Sequence, residues 1–129
     1  MATLERRKAE RRGHAAELAA CWLLRAKGYR ILARRVKTPM GEIDVIARRG
    51  PVTAFMEVKR RETHDGALIA IDRRQAARIV NAARQWTARN PQALEGSCRF
   101  DIVTVSPYLL PRHLPNAFDA DISPAGAFP

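Results

Sequence analysis

The chain has 129 residues, 47% of them hydrophobic, which is enough to bury the core of one domain. It has 23 lysines and arginines against 13 aspartates and glutamates. The resulting net charge of +10 indicates a polyanionic partner, with nucleic acid first and an acidic membrane surface second. No apolar stretch reaches the 18 residues of a transmembrane helix. The basic start MATLERRKAERRG lacks the apolar segment of a secretory signal, so we expect a cytoplasmic protein.

The first third of the chain predicts a helix followed by a strand. Residues 1–12 are charge-rich and form either a solvated helical turn or a flexible arm; we assign them to a basic N-terminal arm. Residues 13–28 are rich in Ala and Leu, which favour a helix that stops at Gly28. Residues 29–36 predict a strand and 38–41 a turn. The predicted buried side of the helix contains Leu18, Cys21, Trp22 and Leu24.

Two alternating runs in the middle of the chain predict a β-hairpin. Residues 42–49 and 52–60 alternate between apolar and other side chains on either side of Gly50-Pro51. Closing the hairpin there places Asp44 opposite Glu57 and Glu42 opposite Lys59 on one face. The other face would then be apolar, with Ile43, Val45, Ala47, Val52, Ala54, Met56 and Val58.

The last part of the chain predicts a helix, a strand and a tail. Residues 61–71 read as a loop, and Asp72 is a good N-cap for a helix to Arg89, with Gln75 at the capping-box position. Trp86 has core spacing on that helix, so we interpret both tryptophans as packing residues rather than base-stacking ones. Residues 99–106 predict a strand. Residues 107–129 contain five prolines and predict an irregular tail, so the expected α/β domain covers residues 13–106.

The charged face of the hairpin carries the strongest chemical signal. Carboxylates on directly opposed residues repel each other, since their Cβ atoms lie about 4.5–5.5 Å apart. A divalent cation relieves the repulsion of Asp44 and Glu57, and Mg²⁺ prefers such oxygen ligands together with water and a phosphate. Lys59 on the same face would stabilise charge on the phosphate or orient or deprotonate the attacking water. The alternative is an exposed, soluble face on which Glu42 and Lys59 form a weak surface ion pair.

Further charged residues surround this hairpin in the predicted fold. Glu17 flanks the apolar side of the first helix and would face the sheet; alternatively it is a surface carboxylate paired with Arg25 or another base. A cluster of arginines follows the hairpin and begins the second helix. It favours contacts with backbone phosphates, against the alternative of a solvated helix face. The predicted nucleic-acid contacts are Arg60, Arg61, Arg73, Arg74, Gln75 and Arg78.

Four segments together resemble a known family. GHAAELAACWLLRAKGYRIL, GEIDVIA, AFMEVKRR and RFDIVTV occur in the order and spacing of the YraN-like family of uncharacterised bacterial proteins, over residues 13–106. That family is similar to the restriction-endonuclease-like PD-(D/E)xK superfamily, close to archaeal Holliday-junction resolvases. The resemblance implies a restriction-endonuclease-like α/β fold, with a central mixed β-sheet flanked by helices.

The resemblance also implies roles for single residues. Glu17, Asp44, Glu57 and the backbone carbonyl of Val58 would be metal ligands, and Lys59 would be catalytic alongside the three carboxylates. The chain departs from the family pattern at two places. Arg35 stands where the resemblance implies an Asn, and Arg74, followed by Gln75, stands where it implies a Lys.

These observations lead to three hypotheses of different classes. The first is a Mg²⁺- or Mn²⁺-dependent endonuclease that hydrolyses phosphodiester bonds of branched or structured DNA with a metal-activated water. It would act in the bacterial cytosol or nucleoid and, by analogy with resolvases, as a homodimer. The second is a nucleic-acid-binding module of the same fold, without hydrolysis, in a repair or recombination complex. The third is an interaction protein whose basic surface meets an acidic protein or a membrane.

Overall fold

One five-stranded β-sheet organises residues 3–61 and 72–119, which are the residues described by the computed structural model. Residues 62–71 of the predicted loop 61–71 and residues 120–129 of the predicted tail 107–129 lie outside them. Neither α-helix among the described residues is long and apolar enough to cross a membrane. The elements are α1 (Leu4–Ala26), β1 (Arg30–Thr38), β2 (Gly41–Arg49), β3 (Val52–Arg60), α2 (Arg73–Arg89), β4 (Ser97–Val105) and β5 (Pro111–Phe118).

The sheet is mixed and has one helix on each face. Its strands follow the chain order β1-β2-β3-β4-β5, and only the pair β3 and β4 is parallel. A parallel pair needs a crossover connection, and α2 lies in that connection. The α1 face packs Ala16, Ala20, Cys21 and Leu24 against Val45, Ala47, Ala54, Met56, Val103 and Val105. The α2 face packs Ala76, Ile79, Val80 and Ala83 against Ile43, Ile46, Phe55, Phe100 and Ile102. The predicted α/β class with a mixed, helix-flanked sheet is confirmed.

The hairpin register is confirmed only over its half next to the turn. The ladder runs from Arg49 opposite Val52 to Val45 opposite Met56, and it ends there. The alternation of β2 also breaks at this point. Ile43 packs on the α2 face, whereas Val45 packs on the α1 face, so the prediction that they share a face is wrong. From Ile43 to Gly41, β2 pairs with β1 alone, so the ladder with β3 does not fix which face the side chains of this segment take.

Helix α1 differs from its prediction at its start and on its buried side. It begins at Leu4, capped by Thr3, whose Oγ1 accepts from the N–H of Arg6 at 3.2 Å, so residues 4–12 are helical rather than a flexible arm. Leu18 and Trp22 are exposed, which corrects their assignment to the core. The reason is geometric: the helix buries Ala16, Ala20, Cys21 and Leu24, and positions two residues from Ala20 are rotated by about 200°.

Strand β5 occupies part of the segment predicted to be irregular. It pairs antiparallel with β4 at the edge of the sheet, where proline is tolerated because outward positions need no N–H donor. A register shift between Phe100 and Ile102 accommodates Asn116, whose φ of +55° is left-handed. The proline content therefore misled the prediction for residues 111–118.

The buried carboxylate of Asp101 joins β5 to the rest of the sheet. It accepts hydrogen bonds from Arg99 Nε and Nη2 at 2.8 Å each, from His113 Nε2 at 2.7 Å, and from the N–H of Asn116 at 2.9 Å. Burial raises the Asp101 pKa, but these donors outweigh burial and lower it below its ordinary value. These contacts give Asp101 a structural role at the edge of the sheet.

We predict that Asp101→Ala lowers the free energy of unfolding by about 3–5 kcal/mol, because it leaves Arg99 and the N–H of Asn116 without their acceptor. Urea unfolding at pH 7 measures this. Glu95→Ala, which removes an exposed carboxylate, is the control and should change stability by less than about 0.5 kcal/mol. Equal stabilities of the two variants would show that the Asp101 contacts do not stabilise the pairing of β5 with the sheet.

Candidate functional site

The candidate site lies where β2 and β3 separate. Beyond the last ladder pair, the N–H of Val58 donates to Asp44 Oδ2 at 2.8 Å instead of to a backbone carbonyl. A side chain thus replaces the next hydrogen bond of the hairpin. This bond fixes Asp44 beside the outgoing half of β3, which carries Glu57 and Lys59.

Gln75 of α2 bridges the two charged side chains of β3. Its Nε2 donates to Glu57 Oε1 at 2.9 Å, and its Oε1 accepts from Lys59 Nζ at 2.8 Å. Lys59 Nζ and Glu57 Oε1 are themselves 3.7 Å apart, and both side chains are about 15% exposed. Gln75 was predicted as a capping-box residue and a nucleic-acid contact. Its side-chain bonds to Glu57 and Lys59 correct the first prediction and place it inside the site.

The carboxyl groups of Asp44 and Glu57 interact, and each affects the pKa of the other. Burial, followed by repulsion from Asp44, raises the pKa of Glu57 to about 7, although Lys59 opposes the shift. Burial also raises the pKa of Asp44, against the lowering effect of its hydrogen bond from Val58. The two carboxyl groups therefore influence each other beyond the end of the β2–β3 ladder, which does not pair Asp44 with Glu57.

Glu17 faces the same region from α1 but has a different partner. Its Oε2 lies 2.9 Å from Nε of Arg35, and only 13% of the Glu17 side chain is exposed. Burial raises the pKa of Glu17, Arg35 lowers it and Asp44 raises it. Glu17 and Asp44 line one cavity of about 230 Å³, together with Arg35 and Val58. Glu17 is thus beside the predicted site, bound to an arginine.

Asp44 and Glu57 fit a divalent cation better than the full predicted ligand set does. Two largely buried carboxyl groups that repel each other when charged offer the oxygen ligands that Mg²⁺ or Mn²⁺ prefers. Within residues 3–61 and 72–119, no group of three or more His, Cys, Asp or Glu side chains is placed to hold a metal. Glu17 therefore does not complete a ligand set in this arrangement. Val58 lines the same cavity as Glu17 and Asp44.

The predicted phosphate-binding arginines fall into two groups. Arg60 lines the cavity of Glu17 and Asp44, whereas Arg61 donates to the carbonyl of Arg60 at 2.9 Å. Arg73, Arg74 and Arg78 are exposed on α2, in and after the turn that carries Gln75. The structure brings Arg60 to the carboxylates and leaves the α2 arginines on the adjoining surface.

Two roles were missed from the sequence. Gln75 occupies the third position of α2, directly before buried Ala76, and this proximity to the core was a usable signal. Arg35 was noted only as a departure from the family pattern. Its φ of +53° is left-handed, a conformation that Asn adopts more readily than Arg. No feature of the sequence indicated its ion pair with Glu17.

The raised pKa of Glu57 predicts how stability depends on pH. The group favours folding below its ordinary pKa of 4.5, and this contribution is lost as the pH rises through about 7. Glu57→Gln keeps a neutral side chain at all pH values. We predict that its free energy of unfolding, relative to that of the unchanged protein, increases as the pH rises from 5 to 8, by at most about 3 kcal/mol.

Urea unfolding at the two pH values measures this difference. Glu42→Gln, an exposed position on β2, is the matched control and should shift by less than about 0.5 kcal/mol. A Glu57→Gln difference that does not change with pH would show that the site carries no buried carboxylate pair.

Comparison with known proteins places the chain in a family. The family model described as "Uncharacterised protein family UPF0102" matches residues 16–105. A UPF0102 protein of Rhodopseudomonas palustris (strain BisB18) is 51% identical over 90% of this chain and 86% of its own length. One of Methylorubrum extorquens (strain PA1) is 52% identical over 90% and 91%. The UPF0102 protein bll0669 of Bradyrhizobium diazoefficiens is 49% identical over 93% and 90%. The resemblance to the YraN-like family is confirmed at this level, and the chain belongs to the uncharacterised protein family UPF0102.

Proposed function

We propose that the protein is a divalent-metal-dependent endonuclease that hydrolyses phosphodiester bonds of branched or structured DNA. The observation that carries the proposal is the meeting of Asp44, Glu57 and Lys59 where β2 and β3 separate. The net charge of +10 supports a polyanionic substrate. A mixed sheet with a helix on each face is compatible with the restriction-endonuclease-like fold, so the proposal includes membership of the PD-(D/E)xK superfamily and a relation to resolvases.

The side chains have distinct tasks in the proposed hydrolysis. A Mg²⁺ or Mn²⁺ ion bound by Asp44 and Glu57 would supply Lewis acidity to the phosphate and to water. Gln75 holds the Lys59 ammonium beside Glu57, where it stabilises negative charge that develops on the phosphate oxygens. The oxygen of water bonds to phosphorus, the bond from phosphorus to one sugar oxygen breaks, and that oxygen leaves as a hydroxyl with a hydrogen from water.

Arginines beside these groups would hold the DNA. Arg60 lines the cavity of Asp44 and would bind a phosphate next to the cleaved bond. The exposed arginines of α2 extend this contact along the backbone. With such a substrate, the protein would act in the bacterial cytosol or nucleoid. By analogy with resolvases, which cut two strands symmetrically, the proposal includes a homodimer.

A specific observation favours a second function, a nucleic-acid-binding module without hydrolysis. In the described part of the chain Glu17 is paired with Arg35, and the acidic groups do not form a three-ligand metal site. A chain that binds DNA in a repair or recombination complex would need the arginines but not a filled metal site. Cleavage and binding assays on one set of variants separate the two functions.

We predict metal-dependent cleavage of at least one member of a panel of labelled single-stranded, duplex, flap and four-way-junction DNAs. Cleavage should occur with Mg²⁺ or Mn²⁺ and stop with EDTA. Lys59→Ala should reduce its rate by about 100-fold or more, because it removes a charge aimed at the phosphate. Asp44→Ala should do the same.

Binding of the same DNAs in EDTA should persist in both variants, which separates loss of chemistry from loss of folding. Lys8→Ala removes an exposed lysine of α1 far along the helix from Glu17 and should cleave at the normal rate. Binding without cleavage under every metal condition would reject the nuclease in favour of the binding module. Cleavage that Lys59→Ala retains would reject the site.

Arg35 offers a test of cation binding that does not depend on activity. Arg35→Asn removes the positive charge 2.9 Å from Glu17 and gives a left-handed position a residue suited to it. We predict that it binds Mn²⁺ about fivefold more tightly, since an ion pair at this distance contributes about 1 kcal/mol in a solvated site. The Mn²⁺ concentration dependence of the melting temperature measures this affinity. Arg30→Asn, an exposed residue of β1, is the control, and an unchanged affinity in Arg35→Asn would contradict a cation site next to Glu17.

A further inference from the structure

A groove runs from the candidate site along α1. Arg60 lines both the cavity of Glu17 and Asp44 and a neighbouring cavity of about 730 Å³. That neighbour shares Ala15 and Leu109 with a third cavity, of about 530 Å³. The three cavities are therefore neighbours along α1, and the second and third are together called the α1 groove below.

The two ends of the α1 groove differ in chemistry. The end next to the candidate site carries Arg12, Arg60 and Arg61, and the far end carries Leu18, Trp22 and Leu109. Arginines favour phosphate at the first end, and apolar and aromatic side chains favour flat apolar groups at the second. A ligand that fits both ends has a charged backbone and unsaturated rings.

Trp22 is a large aromatic residue that lies outside the packed core. It is 68% exposed, although the sequence predicts it to be in the core. Tyr108, on the turn that carries Leu109, is 86% exposed. Trp86, by contrast, packs edge-to-face against Phe55, with ring centroids 5.9 Å apart. Trp22 lies five residues after Glu17, about 7–8 Å farther along the helix axis, at the end of the α1 groove away from the candidate site.

Unpaired nucleotides match this combination better than a duplex or a protein does. In a duplex the faces of the bases are covered by their neighbours, whereas unpaired bases expose faces that stack on aromatic side chains. A second copy of the chain would bring the arginines of the groove against a molecule that also has a charge of +10. The groove adjoins a site that would act on a phosphodiester, and this favours a nucleic-acid strand over an acidic peptide.

We infer that the α1 groove binds the unpaired nucleotides of a strand that enters or leaves the candidate site, and that Trp22 stacks on one of their bases. The inference rests on the proposed function for the direction of the strand, and it narrows the substrate class to nucleic acid with single-stranded segments. Binding itself requires no cleavage, so the two proposals fail separately.

Trp22 provides its own optical probe. In a Trp86→Phe background Trp22 is the only tryptophan, since the chain has two. Titration with single-stranded oligothymidylate in EDTA should quench its fluorescence, because a stacked base quenches the indole. A blunt duplex of the same length should quench far less at equal phosphate concentration. Equal quenching by the duplex, or quenching only by an acidic peptide that contains phenylalanine, would overturn the inference.

Affinity measurements test the same contact in the chain with both tryptophans. Trp22→Ala should weaken the binding of labelled oligothymidylate in EDTA by about 5- to 100-fold, the range expected for one base stacked on an aromatic ring. Trp22→Phe should recover part of this loss, and duplex binding should change by less than about twofold. Leu94→Ala, which removes exposed apolar surface elsewhere, is the matched control. Single-strand affinity that is unchanged in Trp22→Ala would overturn the inference.

Cleavage assays then separate the groove from the proposed function. If the groove alone is correct, Trp22→Ala loses single-strand binding while no DNA is cut by the unchanged protein. If the nuclease alone is correct, Lys59→Ala abolishes cleavage while Trp22→Ala binds and cuts normally, which rejects the groove. If both are correct, Trp22→Ala cuts flap or single-stranded DNA more slowly at low substrate concentration, and saturating substrate restores its rate.

Discussion

The hydrogen bond from the N–H of Val58 to the carboxylate of Asp44 determines the arrangement of the candidate site. A hairpin normally continues its ladder until one strand ends, but here a side chain takes the place of the next backbone acceptor. Pairing stops at Val45 and Met56, and the two strands continue in the sheet with different neighbours. The acidic residues beyond that point meet because the strands separate, and in the proposed reaction the phosphate would enter between these strands.

The helices on the two faces of the sheet supply what the strands cannot. From α2, Gln75 bridges Glu57 and Lys59 and so holds an acid and a base side by side at low exposure. From α1, Glu17 approaches Asp44 but is bound by Arg35. Burial of carboxyl groups raises their pKa values, and the site is therefore costly to keep charged without a cation. Carboxyl groups whose pKa values are shifted by burial and by each other are typical of functional sites.

The positions of α1 and β5 decide which surface adjoins this site. Helix α1 packs on the sheet through the small residues Ala16 and Ala20. In this orientation of the helix, Leu18 and Trp22 point outward. The Asp101 contacts hold β5 at the edge of the sheet next to α1, with Lys27 bonded to His113. The turn before β5 then places Leu109 across from Trp22 and forms the far wall of the α1 groove.

The sequence by itself determined the local features of this protein. Alternation of side chains identified β3, an N-cap at Asp72 identified the start of α2, and Gly28, with its φ of +92°, marked the end of α1. The spacing of Asp44, Glu57 and Lys59 around Gly50-Pro51 predicted that the three would meet. These features depend on periodicity and turn chemistry, which act over a few residues.

Only the tertiary structure decided the features that depend on separate elements. The break in alternation at Ile43, the bridge made by Gln75, the Arg35 partner of Glu17 and the exposure of Trp22 each require the relative placement of elements far apart in the chain. The order of residues in a helix gives several faces that could be buried, and packing against the sheet selects one of them. Trp22 is a residue type that is usually buried, but here it forms the exposed wall of a groove, because α1 packs on the sheet through its alanines.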